Sequence, residues 1–227
     1  MTFLPVRYTK DTSIEVGLDE AGRGCLWGPL FAAAVIWAPE EEWFDGHKVI
    51  APLIKDSKKL SPKKRLTVAD EIRDHAIAYG IGSVSAQEID SYGMTLANKM
   101  AFERAILQLG ISPDRLLLDG ILKLNEGFLH EHSIREQEAI VEGDGKYLPI
   151  AAASILAKVE RDEWVRKQVD EHPELETNYS IGSSKGYGTE KHRKGILTHG
   201  KHPYHRDLFL RKLLGVPAVQ SDCLIED

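Results

Sequence analysis

The sequence predicts an α/β fold in which apolar strands alternate with amphipathic helices. Residues 13–18 alternate apolar and other side chains with a period of two, which is typical of a strand with one buried face. Residues 30–38 form a continuous apolar run, which favours a strand buried on both faces. Residues 149–172 are rich in alanine and repeat apolar side chains with the 3.6-residue period of a helix. Both periods in one chain predict a sheet covered by helices.

Turn and cap signals give the remaining elements in order. Ser61 followed by Pro62 is typical of a helix start, and Ser85 with Glu88 forms a capping box. We expect strands at about residues 13–18, 30–38, 80–84, 115–118 and 139–143, and helices at about 61–79, 85–93, 95–109, 149–172, 190–198 and 207–214. The first two strands are expected to pair as a hairpin. Residues 39–52 and 121–138 are predicted to be irregular.

Length and composition are those of an ordinary globular chain. The chain has 227 residues and a net charge of -6, with 42% hydrophobic and 28% charged residues. A chain of this size buries roughly 70% of its unfolded surface. This length fits one large or two small domains. We expect a single domain over residues 1–214, with a C-terminal helical extension at about 190–214, and a mobile acidic tail at 215–227. The negative charge argues weakly against a nucleic-acid partner, but a cluster of metal-binding carboxylates would contribute to it.

The cysteines and the apolar runs bear on location. Cys25 and Cys223 lie in very different contexts, so no disulfide framework is indicated and a reducing compartment is expected. The longest apolar run, residues 30–38, is far shorter than the ~20 residues that span a bilayer. No basic-then-apolar signal opens the chain. We therefore predict a cytoplasmic protein with no membrane partner.

Four acidic residues follow strand-like segments: Asp19, Glu20, Asp119 and Asp144. Each alone could be a solvated strand end or a turn cap, but their recurrence favours a shared site. Bringing them together costs about 1 to 4 kcal/mol per close pair, a cost that divalent cations remove. Carboxylate oxygens suit Mg²⁺ or Mn²⁺, and two such ions ~4 Å apart can support phosphodiester hydrolysis.

Whether Asp19 and Glu20 can reach one site depends on the turn that follows the first strand. Neighbouring strand residues point to opposite faces, so Asp19 and Glu20 reach one site only if strand pairing ends there and the chain turns. Gly22 and Gly24 make such a turn plausible and would let a ligand approach the backbone.

Cations and hydroxyls recur around this predicted site. Ser154, Lys158 and Arg161 share one stripe of the helix at 149–172, which suits a phosphate backbone or equally a solvated edge. Residues 183–189 present Lys185 and Tyr187 in a glycine-rich loop. Such a tyrosine can stack on a sugar or base, or anchor its own loop. The basic run at residues 55–65 could bind phosphate or be solvated.

In their order along the chain, six of these segments resemble the motifs of type 2 ribonuclease H, ribonuclease HII. They are residues 17–24, 56–61, 118–120, 143–144, 152–162 and 185–189, and the resemblance spans about residues 14–209. It implies a ribonuclease H-like fold, with a mixed five-stranded central sheet flanked by helices and a C-terminal helical extension. It also implies cleavage of the RNA strand of RNA–DNA hybrids and cleavage 5′ of single ribonucleotides embedded in duplex DNA. The implied chemistry is two-metal-ion hydrolysis giving 3′-hydroxyl and 5′-phosphate ends, with a role in ribonucleotide removal during DNA repair and replication.

The resemblance also implies roles for individual residues. Asp19, Glu20, Asp119 and Asp144 would bind two divalent ions, Mg²⁺ or Mn²⁺. Gly22, Arg23 and Gly24 would read the ribose 2′-hydroxyl through backbone atoms, and Tyr187 would stack on the sugar at the RNA–DNA junction. The other substrate contacts would be Ser57, Lys58, Ser154, Lys158, Arg161 and Lys185. We expect a monomer without a clear sliding-clamp motif, since Gln220 is not followed by paired aromatic residues.

Two other functions remain open. Another metal-dependent nuclease or phosphotransferase of the same fold would keep the acids but would not need Gly22-Arg23-Gly24 together with Tyr187. A catalytically idle nucleic-acid-binding module would have no reason to hold four acids close to a polyanion.

Overall fold

A five-stranded sheet forms the centre of the computed structural model, which describes residues 3–55, 57 and 60–215. The strand order is β3-β2-β1-β4-β5. The strands are β1 (Glu15–Ala21), β2 (Leu30–Ile36), β3 (Ala78–Val84), β4 (Arg115–Asp119) and β5 (Glu136–Ile140). The first three pair antiparallel, whereas β4 and β5 join in parallel. The sheet is therefore mixed, and the predicted fold class and hairpin are confirmed.

Strand β1 lies in the middle of the sheet, and its two neighbours leave it at different points. Pairing with β4 ends at Leu18 opposite Leu118, but pairing with β2 continues to Ala21 opposite Phe31. The prediction that pairing ends at Asp19 is therefore correct only on the β4 side. On that side, β1 has no partner strand beyond Leu18 among the described residues, which leaves room for side chains to converge.

Nine helices are described within these ranges. They are α1 (Asp45–Ile50), α2 (Pro62–His75), α3 (Ala86–Leu107), α4 (Glu126–Glu131), α5 (Leu148–Glu171), α6 (Glu174–Tyr179), α7 (Ile181–Ser184), α8 (Glu190–His199) and α9 (Asp207–Leu210). Helix α3 packs on one face of the sheet, and α2 and α5 pack on the other. None of the described helices is long and apolar enough to cross a bilayer.

Close packing of α5 on β1 fixes the position of the site. A side chain at Gly17 would collide with the backbone at Pro149 and Ile150, so glycine allows the start of α5 to lie directly on the strand. Asp19 is on the same face of β1 as Gly17, since strand residues alternate. The acid therefore faces α5.

Several predicted boundaries are wrong. The helix predicted to reach about Tyr79 ends at His75, because β3 begins at Ala78. The segment predicted to be irregular at 39–52 contains α1 and two 3-10 turns, and the one at 121–138 contains α4 and most of β5. The fifth strand thus begins earlier than predicted. Its polar start escapes the hydrophobic pattern because an edge strand can expose polar side chains.

Two cap predictions are confirmed. The Ser85 and Glu88 capping box starts α3, which continues across a kink at Gly93, where the prediction has two helices. The Ser61 hydroxyl accepts the backbone N–H of Lys64 at the start of α2.

The last helix is shorter than predicted and ends at Leu210. Residues 216–227, with Cys223 and Gln220, lie outside the described residues.

The C-terminal helices pack around a third apolar cluster. Its members are Trp27, Val165, Leu175, Tyr179, Ile181, Ile196 and Leu210. Trp27 belongs to the loop that joins β1 to β2, so the cluster places that loop against the C-terminal part of the chain. The loop and the sheet edge beyond Leu18 together form the candidate site.

Candidate active site

Acidic residues from separate segments meet at the edge of the sheet. Because β1 and β4 are parallel and paired up to Leu18 and Leu118, Asp19 and Asp119 follow side by side. Asp119 Oδ1 accepts the backbone N–H of Gly143 at 2.7 Å and that of Asp144 at 3.4 Å. These two bonds bring Asp144 to the same edge from a 3-10 turn, four residues after β5 ends.

Glycine at position 143 makes this arrangement possible. A Cβ there would lie 2.8 Å from Ile150 Cδ1 and 3.2 Å from Asp119 Oδ1. Any larger residue would push the turn away from the Asp119 carboxylate. The motif predicted at 143–144 thus has a packing reason for its glycine.

The carboxylates strain one another electrostatically. Burial raises the pKa of Asp19 well above its usual range, and the neighbouring charges of Glu20 and Asp119 raise it further. The Ser154 hydroxyl and the Glu20 backbone N–H act in the opposite direction. The Glu20 N–H lies 2.6 Å from Asp19 Oδ1. A divalent cation would relieve this repulsion.

The proposed metal ligands suit a hard cation, although their side chains are not already arranged around a common point. All of the proposed ligands are carboxylates, which Mg²⁺ and Mn²⁺ prefer. Among the described residues, no three His, Cys, Asp or Glu side chains converge closely enough to hold a metal ion. Asp19, Asp119 and Asp144 are brought to the same end of the sheet, whereas Glu20 lies where β1 is still paired with β2, and the four carboxylates do not already form a coordination sphere.

The turn after β1 is held from behind by Arg161. Gly22 has φ +92°, and a side chain there would collide with the Arg161 guanidinium. Arg161 is fully buried and donates to the carbonyl oxygens of Trp27, Pro29 and Lys185. This differs from the predicted phosphate contact: α5 directs Arg161 inward, where it joins two loops.

Tyr187 stands beside the same turn. Its backbone bridges that of Cys25, next to Gly24. Lys185 and Gly186, just before it, have φ values of 53° and 79°, which bend the loop towards Trp27. The Tyr187 side chain is 44% exposed, and burial of its hydroxyl raises its pKa. The structure thus brings together the turn and the tyrosine that the sequence separates by about 160 residues.

The remaining predicted substrate contacts divide into two groups. Ser57 and Ser154 are buried and hydrogen-bonded to each other at 3.0 Å. Lys158 is partly exposed and donates to Asp162 at 2.6 Å. Lys185 lines a cleft between α2 and α5 whose other lining residues include Arg65, Arg166, Asp162 and Glu163. Lys58 lies outside the described residues.

Three residues near the site are missing from the prediction. Arg206 donates to the carbonyl oxygens of Gly22, Arg23 and Gly28. His192 contacts the Tyr187 carbonyl oxygen at 2.9 Å and His205 Nε2 at 2.9 Å. The sequence shows histidines clustered between 192 and 205, but no short-range pattern links them to a turn near residue 22.

Comparison with known proteins identifies a family. The family model described as "Ribonuclease HII" matches residues 16–212. Ribonuclease HII of Bacteroides thetaiotaomicron is 40% identical over 208 residues, which cover 92% of this chain and 94% of that protein. Ribonuclease HII of Parabacteroides distasonis is 45% identical over 202 residues, which cover 89% of this chain and 92% of that protein.

A solved structure gives the same result. The chain in the PCNA:RNase HII complex from Archaeoglobus fulgidus matches with a TM-score of 0.67 and 26% identity, covering 92% of this chain and 99% of that one. The sequence relatives, the structural neighbour and the acids at the strand ends all lead to one assignment. The chain belongs to the ribonuclease HII family and is a ribonuclease H, an endonuclease of the hydrolase class.

Proposed function

We propose that this ribonuclease H cleaves the RNA strand of RNA–DNA hybrids and cuts 5′ of single ribonucleotides embedded in duplex DNA. One observation carries the proposal: the strand that supplies Asp19 leads directly into the turn of Gly22, Arg23 and Gly24, and Tyr187 lies against that turn. The phosphodiester to be cut and the ribose to be recognised are neighbours in the substrate. A site that recognises the ribose beside the acids that would act on the phosphodiester suits cleavage next to a ribonucleotide.

We assign the metal site to Asp19, Glu20, Asp119 and Asp144, with Mg²⁺ or Mn²⁺ as the two ions. When bound, such ions activate a water molecule and stabilise the leaving oxygen, giving 3′-hydroxyl and 5′-phosphate ends. The repulsion around Asp19 and the all-carboxylate donor set support this assignment.

The protein's own contribution is to hold these carboxylates in place. Asp119 is oriented by the backbone N–H groups of Gly143 and Asp144. Asp19 is buried against α5 and accepts the backbone N–H of Glu20, and the nearby Ser154 hydroxyl counteracts the rise in its pKa. Fixed dipoles around a largely dehydrated carboxylate keep it oriented before the substrate arrives.

Recognition of the ribose is proposed to use the turn and Tyr187. The backbone of Gly22, Arg23 and Gly24 would contact the 2′-hydroxyl, the group that distinguishes RNA from DNA. The exposed ring of Tyr187 would stack on the adjoining sugar. The proposed phosphate contacts are Lys58, Lys158 and Lys185. Arg161 is reassigned to holding the turn, and Ser57 and Ser154, which are buried and bonded to each other, are reassigned to the packing beneath the site.

The cellular setting is part of the same proposal. We propose a cytoplasmic monomer that removes ribonucleotides during DNA repair and replication. The proposal of a reducing compartment rests on the sequence, in which Cys25 and Cys223 lie in very different contexts. PCNA is a partner of the archaeal protein, and nothing in the described residues extends that partnership to this chain.

One cleavage assay tests the proposal. Three end-labelled duplexes of one sequence are incubated with Mg²⁺ or Mn²⁺: all-DNA, DNA with a single ribonucleotide, and an RNA–DNA hybrid. We expect cuts in the last two only, with the single cut 5′ of the ribonucleotide. Equal cutting of the all-DNA duplex would contradict the ribose assignment and favour a related nuclease. Binding without cutting would favour an idle binding module.

A further inference from the structure

Arg206 lies behind the turn that follows β1 and is completely buried. Its Nε donates to the Gly28 carbonyl oxygen at 2.8 Å. Its Nη1 donates to the carbonyl oxygens of Gly22 at 2.8 Å and Arg23 at 3.1 Å. The backbone N–H of Arg206 also donates, to the Leu26 carbonyl oxygen at 2.8 Å. One residue therefore holds the turn at four points.

The Arg206 guanidinium, like that of Arg161, is buried and donates to carbonyl oxygens. Within the described ranges, Arg206 forms no ion pair with a carboxylate, and its buried Nη2 has no hydrogen-bond partner. Burial lowers the pKa of the guanidinium to about 10, so it stays charged at neutral pH. The guanidinium also lies 5.9 Å from the centroid of the Phe209 ring. Burying a charge without a carboxylate partner costs stability. Packing by itself does not account for an arginine at this position.

The carbonyl contacts determine where the amide groups of the turn point. The described peptide bonds include no cis bond, so the C=O and N–H of each peptide unit point in opposite directions. The Gly22 carbonyl shares its unit with the Arg23 N–H, and the Arg23 carbonyl shares its unit with the Gly24 N–H. Because both carbonyls point at the buried guanidinium, both N–H groups point away from it.

The exposure of the turn agrees with this orientation. Gly22 is buried, whereas Arg23 and Gly24 are exposed. In the described part of the chain, neither the Arg23 N–H nor the Gly24 N–H donates to a protein acceptor. Two outward-facing amides next to a carboxylate edge can donate to an oxygen of a bound substrate.

We propose that Arg206 is a positioning residue for ribose recognition. It holds the peptide units after Gly22 and Arg23 so that their N–H groups face the 2′-hydroxyl, and thereby sets the preference for ribonucleotides over deoxynucleotides. The inference rests on the proposed function, because it needs a substrate ribose at this turn. It goes beyond that function by assigning the orientation of the turn to a residue that touches no substrate.

The first test replaces Arg206 with lysine. Lysine keeps the charge, but its single nitrogen cannot reach Gly28 and the two carbonyls of Gly22 and Arg23 together. The matched control is Arg115→Lys. Arg115 is also a buried arginine, but it lies at the other end of β4 and pairs with Asp11, Glu15 and Glu136.

The measurement is the ribose preference itself. Dissociation constants for the single-ribonucleotide and all-DNA duplexes are measured by fluorescence anisotropy with EDTA present, so that no cleavage occurs. We expect R206K to reduce the ratio of the two constants about tenfold, the factor expected for one lost hydrogen bond. Its affinity for the all-DNA duplex should stay unchanged. R115K should lower the melting temperature and leave the ratio unchanged.

A second measurement uses the wild-type protein and does not require a folded variant. The backbone amide signals of Arg23 and Gly24 are followed by NMR as each duplex is added, again with EDTA. We expect both signals to shift further with the ribonucleotide duplex than with the all-DNA duplex. Equal shifts with both duplexes would contradict ribose recognition by this turn, and with it the inference that depends on that recognition.

The outcomes separate this inference from the function on which it rests. A wild-type protein that cuts both duplexes equally contradicts the proposed function. A wild-type protein that discriminates, together with an R206K variant that discriminates equally well, overturns the role of Arg206 alone. A variant that is less stable yet equally selective would also overturn it, since Arg206 would then only support the fold.

Discussion

Asp119 shows how much of the site depends on a single carboxylate. One of its oxygens accepts two backbone N–H groups, which fix the turn that carries Asp144. Substitution of Asp119 by asparagine keeps an oxygen acceptor for these donors but removes the negative charge. The local structure should therefore persist while the affinity for a divalent cation falls.

We predict that Asp119→Asn lowers cleavage of the single-ribonucleotide duplex by about 10²-fold or more. The dissociation constant for this duplex in EDTA should change little. The exposed Asp45, remote from the sheet edge, provides the control Asp45→Asn, which should cut as well as the wild type. Activity retained in D119N would remove Asp119 from the proposed metal site.

For individual residues, the sequence predicts the position of an acid that follows a strand better than the position of an arginine that packs behind a loop. Asp19 and Asp119 were predictable because parallel strands end side by side. Arg161 was placed on the correct helix, but the helical stripe could not show that its guanidinium turns inward. Arg206 contacts a carbonyl 178 residues away, and no local pattern encodes such a contact.

Among the elements, helix α8 and the segment before α9 are joined by a pair of buried histidines. His192 contacts the Tyr187 carbonyl through Nδ1, which assigns the proton to that nitrogen and leaves Nε2 to accept from His205. His205 Nδ1 in turn accepts the backbone N–H of His202 at 2.7 Å. This arrangement requires both histidines of the pair to be neutral.

Acidification should therefore weaken the fold. Burial, followed by the nearby His192 and His202, lowers the pKa of His205 to about 3, against the partial opposition of Asp207. Burial also lowers the pKa of His192. The unfolded chain takes up these protons near pH 6.5, so stability is complete above that pH and is lost as the pH falls towards the folded-state values. Keeping His205 neutral in the fold costs ~2 kcal/mol between pH 6.5 and 5.

Denaturant unfolding at pH 7 and pH 5 checks this expectation. The variant His205→Asn keeps an acceptor near the His202 N–H and removes one titrating ring. It should be less stable than the wild type at pH 7 and should lose less stability between the two pH values. Equal losses in both proteins would show that His205 does not stay neutral in the fold.

The start of a helix was predictable from the sequence where a side chain caps it. A boundary that tertiary packing determines was less predictable. Ser61 and Ser85 mark helix starts through bonds to their own neighbours. The end of α2 has no comparable signal, because it is set by the pairing of β3 with β2. The polar residues of β5 were predicted to be irregular for the same reason. They form a strand because they pair with β4, and this pairing leaves no local signal in the sequence.

For the whole molecule, apolar packing connects the C-terminal segment to the loop between the first two strands. The apolar cluster around Trp27 joins the β1–β2 loop to α5, α6 and α8. We therefore propose one domain up to about residue 214, followed by a tail that contributes nothing to its stability. A chain that ends at Gly215 should melt in one transition at the melting temperature of the full chain. Two transitions, or a clear loss of melting temperature, would contradict this division.

The hold of Arg206 on the first turn also has a consequence for synthesis on the ribosome. The carboxylate edge uses residues up to about 154, so it can assemble while the C-terminal segment is still inside the exit tunnel. The turn proposed to tell RNA from DNA lacks the Arg206 contacts until residue 206 has also left the tunnel, well after the last of the carboxylates. We expect chains that end before residue 206 to carry the acids without the selectivity.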